Sequence, residues 1–375
     1  MTAPVLFEEL VANNAKRIGI ITLNVEKTLN SLTLAMVDLM LDQLNQWQHC
    51  EDIACIVVKG AGHKAFCAGG DVQALYQSAI DQPGGPCQYA EDFFTREYRL
   101  DYLFHTYPKP VICWGHGIVM GGGLGIMAAC SHRVVTEKTR IAMPEVTIAL
   151  YPDVGGSWFL NRMPGHSGMF LALTGASING ADSLFTGIAD YFISHDQYQS
   201  VLDALLHQPW STTQQHNNDL VSDLLAVIAT SSEDAIPEDN VESHLDIINQ
   251  LCAGADVFAV IDAISSVDTE DPWLLKARDS LVAGSPLSAL IINRQLQLSR
   301  EMSLAEVFQS EIQLSTNIVR YPEFAEGVRA LLIDKDKNPQ WQFKTVAQVP
   351  ADVLEQFFTT PTSGSSWPHN PLADL

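Results

Sequence analysis

Basic residues are scarce in this 375-residue chain: 21 lysines and arginines stand against 44 aspartates and glutamates, for a formal net charge of −23. A surface of that sign repels nucleic acid and anionic membranes, which argues against both as partners. An anionic ligand would have to draw on a few cations gathered locally. Cysteine is sparse and unpatterned. Cys50, Cys55, Cys67, Cys87, Cys113, Cys130 and Cys252 form no C-x-x-C pair, and several lie in apolar runs. They read as reduced thiols of a cytoplasmic protein rather than a disulfide framework or a zinc site. The acidic stretch Met1–Asn14 has no basic and apolar leader pattern. Also missing are the G-x-x-x-x-G-K-[ST] phosphate loop, the G-x-S-x-G nucleophile elbow and the H-E-x-x-H metal motif, so nucleotide hydrolysis, serine hydrolysis and a catalytic metal find no support. Gly115-x-Gly117 with Gly121 has the wrong spacing for a dinucleotide fingerprint. The uncharged run Val111–Ser131 is broken by glycines and His116, which favours a buried strand–turn–helix over a membrane span.

What the chain does have is glycine in two informative places, Ala68-Gly69-Gly70-Asp71 and Gly121-Gly122-Gly123. Each run joins a strand-like stretch to a helix-like one. Glycine there lets backbone approach a ligand, and the free N–H groups of a helix start attract negative charge. Two such amides aimed at one point make an oxyanion hole. Downstream stand two carboxylates in unusual settings, Pro144-Glu145 and Pro152-Asp153.

The 47% hydrophobic content suits a large core, and the pattern divides the chain. Strands are predicted at Arg17–Leu23, Ala54–Lys59, Val111–Trp114, Arg133–Thr136 and Ile141–Met143; helices are predicted after Thr33, from Asp71 to about Ile80, at Tyr89–His105 and at Leu124–Cys130. Residues 1–195 read as an α/β core and 196–358 as a helical region, with a fresh helix starting at Pro286. The Thr-, Ser- and Pro-rich stretch 359–375 reads as a mobile tail.

Lys64-Ala65-Phe66-Cys67-Ala68-Gly69-Gly70-Asp71, and Lys109-Pro110 with Gly115-His116-Gly117 and Met120–Gly125, resemble the two oxyanion segments of the enoyl-CoA hydratase/isomerase (crotonase) superfamily. Phe93–Tyr98, Ala142–Glu145, Tyr151–Gly156 and Phe324–Asp336 are more similar to its branch of 3-hydroxyisobutyryl-CoA hydrolases. The resemblance runs from about residue 5 to 345 and is weakest between about 195 and 285. It implies an α/β fold of the crotonase ββα spiral type with a helical C-terminal region. The implied activity is hydrolysis of a short branched hydroxyacyl-CoA thioester, 3-hydroxyisobutyryl-CoA of valine breakdown foremost. No cofactor is implied, because coenzyme A belongs to the substrate.

The resemblance also assigns residues. The N–H groups of Gly70 and Gly122 form the oxyanion hole, and Glu145 and Asp153 are the catalytic carboxylates. Glu97 faces the acyl group, and Lys27, Ala68, Gly70, Arg329 and Lys335, with Lys337, lie along CoA. Glu145 either attacks the thioester or activates water. Hydratases carry a second glutamate where this chain has Gly125, which argues against hydration; an isomerase, needing one base, stays open. So does a CoA-binding protein without catalysis. Locally, Glu145 and Asp153 serve equally as caps of short turns, and Glu97 as a surface ion-pair partner. His116 reads as a buried, backbone-bonded histidine. A homo-oligomer is possible from the superfamily's habit.

Overall fold

The β-branched runs Arg17–Leu23 (RIGIITL) and Ile53–Gly60 (IACIVVKG) form adjacent parallel strands, β2 and β3, buried on both faces. The computed structural model describes residues 3–364 and 367–375. A strand absent from the sequence reading, β1 (Val5–Val11), closes one edge antiparallel to β2. Glu8 and Glu9, on opposite faces of it, are both exposed and put charge on this edge, as suits a guarded edge. Strands β5 (Val111–Gly115), β7 (His132–Val135) and β9 (Tyr191–Phe192) continue the sheet in the order β1-β2-β3-β5-β7-β9. A second sheet, β4-β6-β8, pairs the short strands Ala65–Cys67, Ile118–Met120 and Arg140–Ala142.

Four of the expected helices form: α1 (Leu34–His49), α2 (Val72–Asp81), α3 (Gln88–His105) and α4 (Gly122–Ala129). Thr33 caps α1 by accepting from Met36 N at 3.3 Å, and Asp71 caps α2 by accepting from Ala74 N at 3.3 Å. Helices follow from Tyr198 to the last, Ala351–Phe357; Ser285 caps the one that begins at Pro286.

The chain makes two compact units, and they interleave: Met1–Gly70, Leu100–Ile141 and Ile178–Asn240 in the first, Asp71–Arg99, Ala142–Ser177 and Val241–Leu375 in the second. The boundary read at residue 195 does not coincide with either, because each unit is closed by contacts between stretches far apart in the chain. In the first, helices Tyr198–Leu206 and Gln214–Ala229 bring Val201, Leu205, Val221 and Leu225 onto Ile18, Ile20, Val57, Ile112 and Val134 of the large sheet.

Residues 365 and 366 of the supposed mobile tail lie outside the described residues. The remainder of that stretch is anchored within the second unit. Leu372 is fully buried, Asp374 pairs with Arg99 at 2.7 Å, and Gln309 donates to Leu372 O at 3.1 Å. Composition gave no hint of these anchors, since their partners lie at least 60 residues away in the chain. No helix among the described residues is long and apolar enough to cross a membrane.

Candidate active site

In the first unit the two glycine runs meet. Phe66 N donates to His116 O (2.8 Å) and Ile118 N to Lys64 O (3.0 Å), which ties the Lys64–Cys67 segment to the loop ahead of β6. A Cβ on Gly69 would stand 3.4 Å from Met120 O and 3.8 Å from Gly122 N, so the runs lie side by side. Gly121 takes φ 48°, ψ −127°, a conformation closed to other residues, and this turn delivers the chain into α4. One residue inside α4, a Cβ on Gly123 would reach within 2.4 Å of Cys67 O; only glycine lets helix and strand approach this closely. Gly122 opens α4, so its N–H has no acceptor within the helix and carries the positive end of the helix dipole.

The segment holding Lys27 is joined to the first run. Ala68 N donates to Leu29 O at 3.0 Å, Leu32 N to Gly69 O at 2.8 Å, and Leu32 bridges Gly70. His116 is buried, its Nε2 3.1 Å from Gly62 O and its Nδ1 3.4 Å from Trp114 O, the backbone-bonded arrangement expected of it. Burial holds its pKa down to about 4.

In the second unit three carboxylates gather, with no salt bridge to a described lysine, arginine or histidine. Glu97 comes from α3, Glu145 from the 3-10 turn Glu145–Ile148 after Pro144, and Asp153 from the segment before α5 (Gly156–Leu160). Their exposures are 2%, 6% and 5%. Burial pushes Glu145 well above the usual carboxylate range, and the Asp153 charge adds to the shift. Glu97 is pushed the same way by burial and then by Asp153 and Glu145. Asp153 rises only to about 6, because Tyr98 holds its ionised form: Tyr98 Oη donates to Asp153 Oδ2 at 2.6 Å.

The remaining lone pairs carry information. Glu145 Oε2 and Glu97 Oε1 are buried and have no hydrogen-bond partner among the described residues, although a buried carboxyl oxygen ordinarily finds one. Two local readings therefore fail. Glu97 is no surface ion-pair partner, since it is buried and Arg99 pairs with Asp374 instead. The Asp153 carboxylate faces Tyr98 while its backbone carbonyl, not its side chain, accepts from Gly156 N at 2.7 Å.

A fourth buried carboxylate, Glu311, went unremarked in the sequence. It sits on the helix Leu304–Val319 and clamps the turn after Asp153, accepting from Gly155 N (2.8 Å) with one oxygen and from Ser157 N (3.1 Å) and Ser157 Oγ (2.7 Å) with the other. Burial raises it to about 8. The signal was present: Phe308, Glu311, Ile312 and Ser315 share one helical stripe, so two polar residues occupy a core face.

Arg329 departs from the expected anion contact. Its guanidinium is held by Glu326 (2.8 Å), Asp334 (2.6 Å) and Asp336 (2.8 Å), and an incoming phosphate would have to displace one of these. Lys335 and Lys337 follow in the same exposed loop, both with positive φ.

These raised carboxylates set a pH dependence of stability. Each binds its proton more tightly in the folded chain than in the unfolded one. Its contribution is therefore full below the unfolded value and is lost as pH rises through the folded value, about 6 for Asp153 and about 8 for Glu311. The thermal midpoint is expected to fall as buffers are stepped from about pH 5 to about pH 9, with a shallower fall in Asp153→Asn. A midpoint that climbs over this range would contradict the assignment.

A family model for enoyl-CoA hydratase/isomerase matches residues 18–358. The chain belongs to that family, the crotonase superfamily of the sequence reading, and its α/β fold is the crotonase fold. It is 37% identical over 353 residues to the mitochondrial 3-hydroxyisobutyryl-CoA hydrolase of Xenopus tropicalis, covering 94% of this chain and 89% of that one. The human protein of the same name is 35% identical over 354 residues, covering 94% and 88%. Among solved structures, a carnitinyl-CoA dehydratase from Mycobacterium thermoresistibile is similar with TM-score 0.83 and 32% identity, covering 96% of this chain and 97% of that one. An enoyl-CoA hydratase from Rhodobacter sphaeroides gives TM-score 0.81 and 29% identity, covering 95% and 97%.

Proposed function

We propose that the protein hydrolyses a short branched hydroxyacyl-CoA thioester, 3-hydroxyisobutyryl-CoA foremost, to the free acid and CoA. The observation that carries this reading is the pair of unpartnered buried oxygens, Glu145 Oε2 and Glu97 Oε1, beside an Asp153 that is already held. Such oxygens are left for something the protein does not itself supply.

In this account Glu145 takes a proton from water, and the water oxygen bonds to the thioester carbonyl carbon. The charge that moves onto the carbonyl oxygen is met by the N–H groups of Gly70 and Gly122. The C–S bond then breaks, and the CoA sulfur leaves with a proton from Asp153, whose pKa near 6 populates both forms at neutral pH. In the alternative order Glu145 bonds to the carbonyl carbon first, and water opens the resulting anhydride. Lys27, Ala68, Lys335 and Lys337 are proposed to line the CoA chain, with Arg329 tying down the loop that presents the last two. No cofactor is needed.

Helix α4 reads GGLGIMAA and offers no second carboxylate, which favours hydrolysis over hydration. The dehydratase and hydratase among the similar structures keep a second reading in play, elimination of the hydroxyl to an enoyl-CoA. The compartment is proposed to be cytoplasmic, in keeping with cysteines that form no disulfide among the described residues, although the curated hydrolases named above are mitochondrial.

Glu97 is proposed to hydrogen-bond the acyl hydroxyl. CoA release from 3-hydroxyisobutyryl-CoA is then expected to exceed that from isobutyryl-CoA by about ten- to a hundredfold in kcat/KM, and Glu97→Ala to erase most of the difference. Equal rates on both thioesters in the wild type would remove Glu97 from this role.

A further inference from the structure

Four buried hydroxyl and carbonyl groups run away from Asp153 in a line. Tyr98 Oη lies 2.6 Å from Asp153 Oδ2 and 2.6 Å from Ser315 Oγ. Ser315 Oγ lies 3.0 Å from Tyr151 Oη, which donates to the backbone carbonyl of Glu311 at 2.9 Å. Tyr98 and Ser315 are fully buried, and Tyr151 is 1% exposed. Each hydroxyl has one proton to give, and the carbonyl at the far end can only accept.

With the Tyr151 proton on Glu311 O and Tyr98 bonded to Ser315 throughout, two arrangements follow. When Asp153 is ionised, Ser315 donates to Tyr98 and Tyr98 to Asp153. When Asp153 carries a proton on Oδ2, the order reverses: Asp153 donates to Tyr98, Tyr98 to Ser315 and Ser315 to Tyr151. The Tyr151 proton stays on Glu311 O in both. Only the Tyr98 and Ser315 protons turn; with Asp153 ionised the 3.0 Å Ser315–Tyr151 contact carries no proton, but every hydroxyl still donates one hydrogen bond in both states.

We propose that Tyr98 and Ser315 are positioning residues that act through Asp153, a two-hydroxyl relay whose hydrogen bonds reverse direction when the carboxyl gains or gives up its proton. The proposal rests on the reading of Asp153 as the group that exchanges a proton in thioester cleavage. It explains why a serine stands in the apolar stripe of Leu304–Val319 and why two tyrosines converge on it. The same helix fixes the turn that carries Asp153, through the Glu311 clamp on Gly155 and Ser157. The titratable groups facing Asp153 are Glu97 and Tyr98 from α3, Glu145 from its 3-10 turn, Tyr151 from the adjoining segment and Glu311 from the helix Leu304–Val319. Burial disfavours the ionised form of Asp153, and Tyr98 is the neighbouring side chain that supports it, by donating a hydrogen bond.

The test is the pH profile of kcat/KM for CoA release from 3-hydroxyisobutyryl-CoA by the full chain, read together with a carbon-13 NMR titration of the Asp153 carboxyl in the substrate-free protein. In Tyr98→Phe the Asp153 titration and the corresponding limb of the profile are expected to move upward by about one pH unit. Ser315→Ala should give a smaller shift in the same direction, and Ser315→Thr should restore the wild-type position. The serine pair carries the test if Tyr98→Phe does not fold. A variant with lowered kcat but an unmoved limb and an unmoved titration would reduce these residues to packing and overturn the relay. Undiminished turnover in Asp153→Asn would instead overturn the role of Asp153 in the reaction, while the NMR titration would still report on the relay.

Discussion

Glu145→Gln is expected to cut CoA release from 3-hydroxyisobutyryl-CoA by about 10²–10⁴-fold while leaving the fold and the thioester affinity close to wild type. The substitution keeps the size of the side chain and removes its ability to take a proton or to attack carbon. It also removes a buried acid whose pKa burial has raised, so the folded protein loses no charge-stabilising partner. Steady-state kinetics with the KM read separately check this. A variant that retains more than about a tenth of wild-type kcat would show that Glu145 does neither task, since even modest general-base catalysis exceeds that margin.

Gly122→Val keeps the backbone N–H but puts a side chain in the path of the thioester carbonyl, and is expected to lower turnover by about 10²–10³-fold, the usual worth of an oxyanion donor. The position opens α4, where valine is by propensity no worse a helix former than the glycine it replaces. Circular dichroism should therefore report a helical content near wild type, with Gly122→Ala as the milder companion that separates bulk from folding. Gly123 makes the informative contrast. Its Cβ would meet Cys67 O at 2.4 Å, so substitution there should cost structure before chemistry. Turnover by Gly122→Val within a few-fold of wild type would mean that its amide is not aimed at the reacting carbonyl.

The sequence was most legible where one local pattern fixed one element. RIGIITL and IACIVVKG could be little other than buried strands, and Thr33 and Asp71 announced the helices they cap. The glycine runs announced themselves because few other tasks require two in that order. Strand β1 escaped because FEEL reads as a polar terminus, and only its pairing with β2 makes it a strand. Strands β4 and β6 are three residues each, too short to show a period. The support of Asp153 was illegible for a different reason. Tyr98 and Ser315 are 217 residues apart, and Glu311 lies 156 residues from the Gly155 amide it accepts from. Nothing local pairs them, although polar residues in an apolar helical stripe mark where to look. Arg329 shows the opposite limit: scarcity of cations suggested an anion contact, and the structure supplied three carboxylates from its own neighbourhood.

One substrate separates the central claim from its rival. Incubated with the wild-type protein, 3-hydroxyisobutyryl-CoA can either release free CoA thiol by hydrolysis or lose water to give an enoyl thioester with its own ultraviolet absorbance. Both can be followed in the same cuvette. The proposed hydrolysis, with no acid on α4, predicts stoichiometric thiol release that is lost in Glu145→Gln, and no rise in enoyl absorbance. Enoyl formation without thiol release would contradict the account and give Glu145 and Asp153 to elimination.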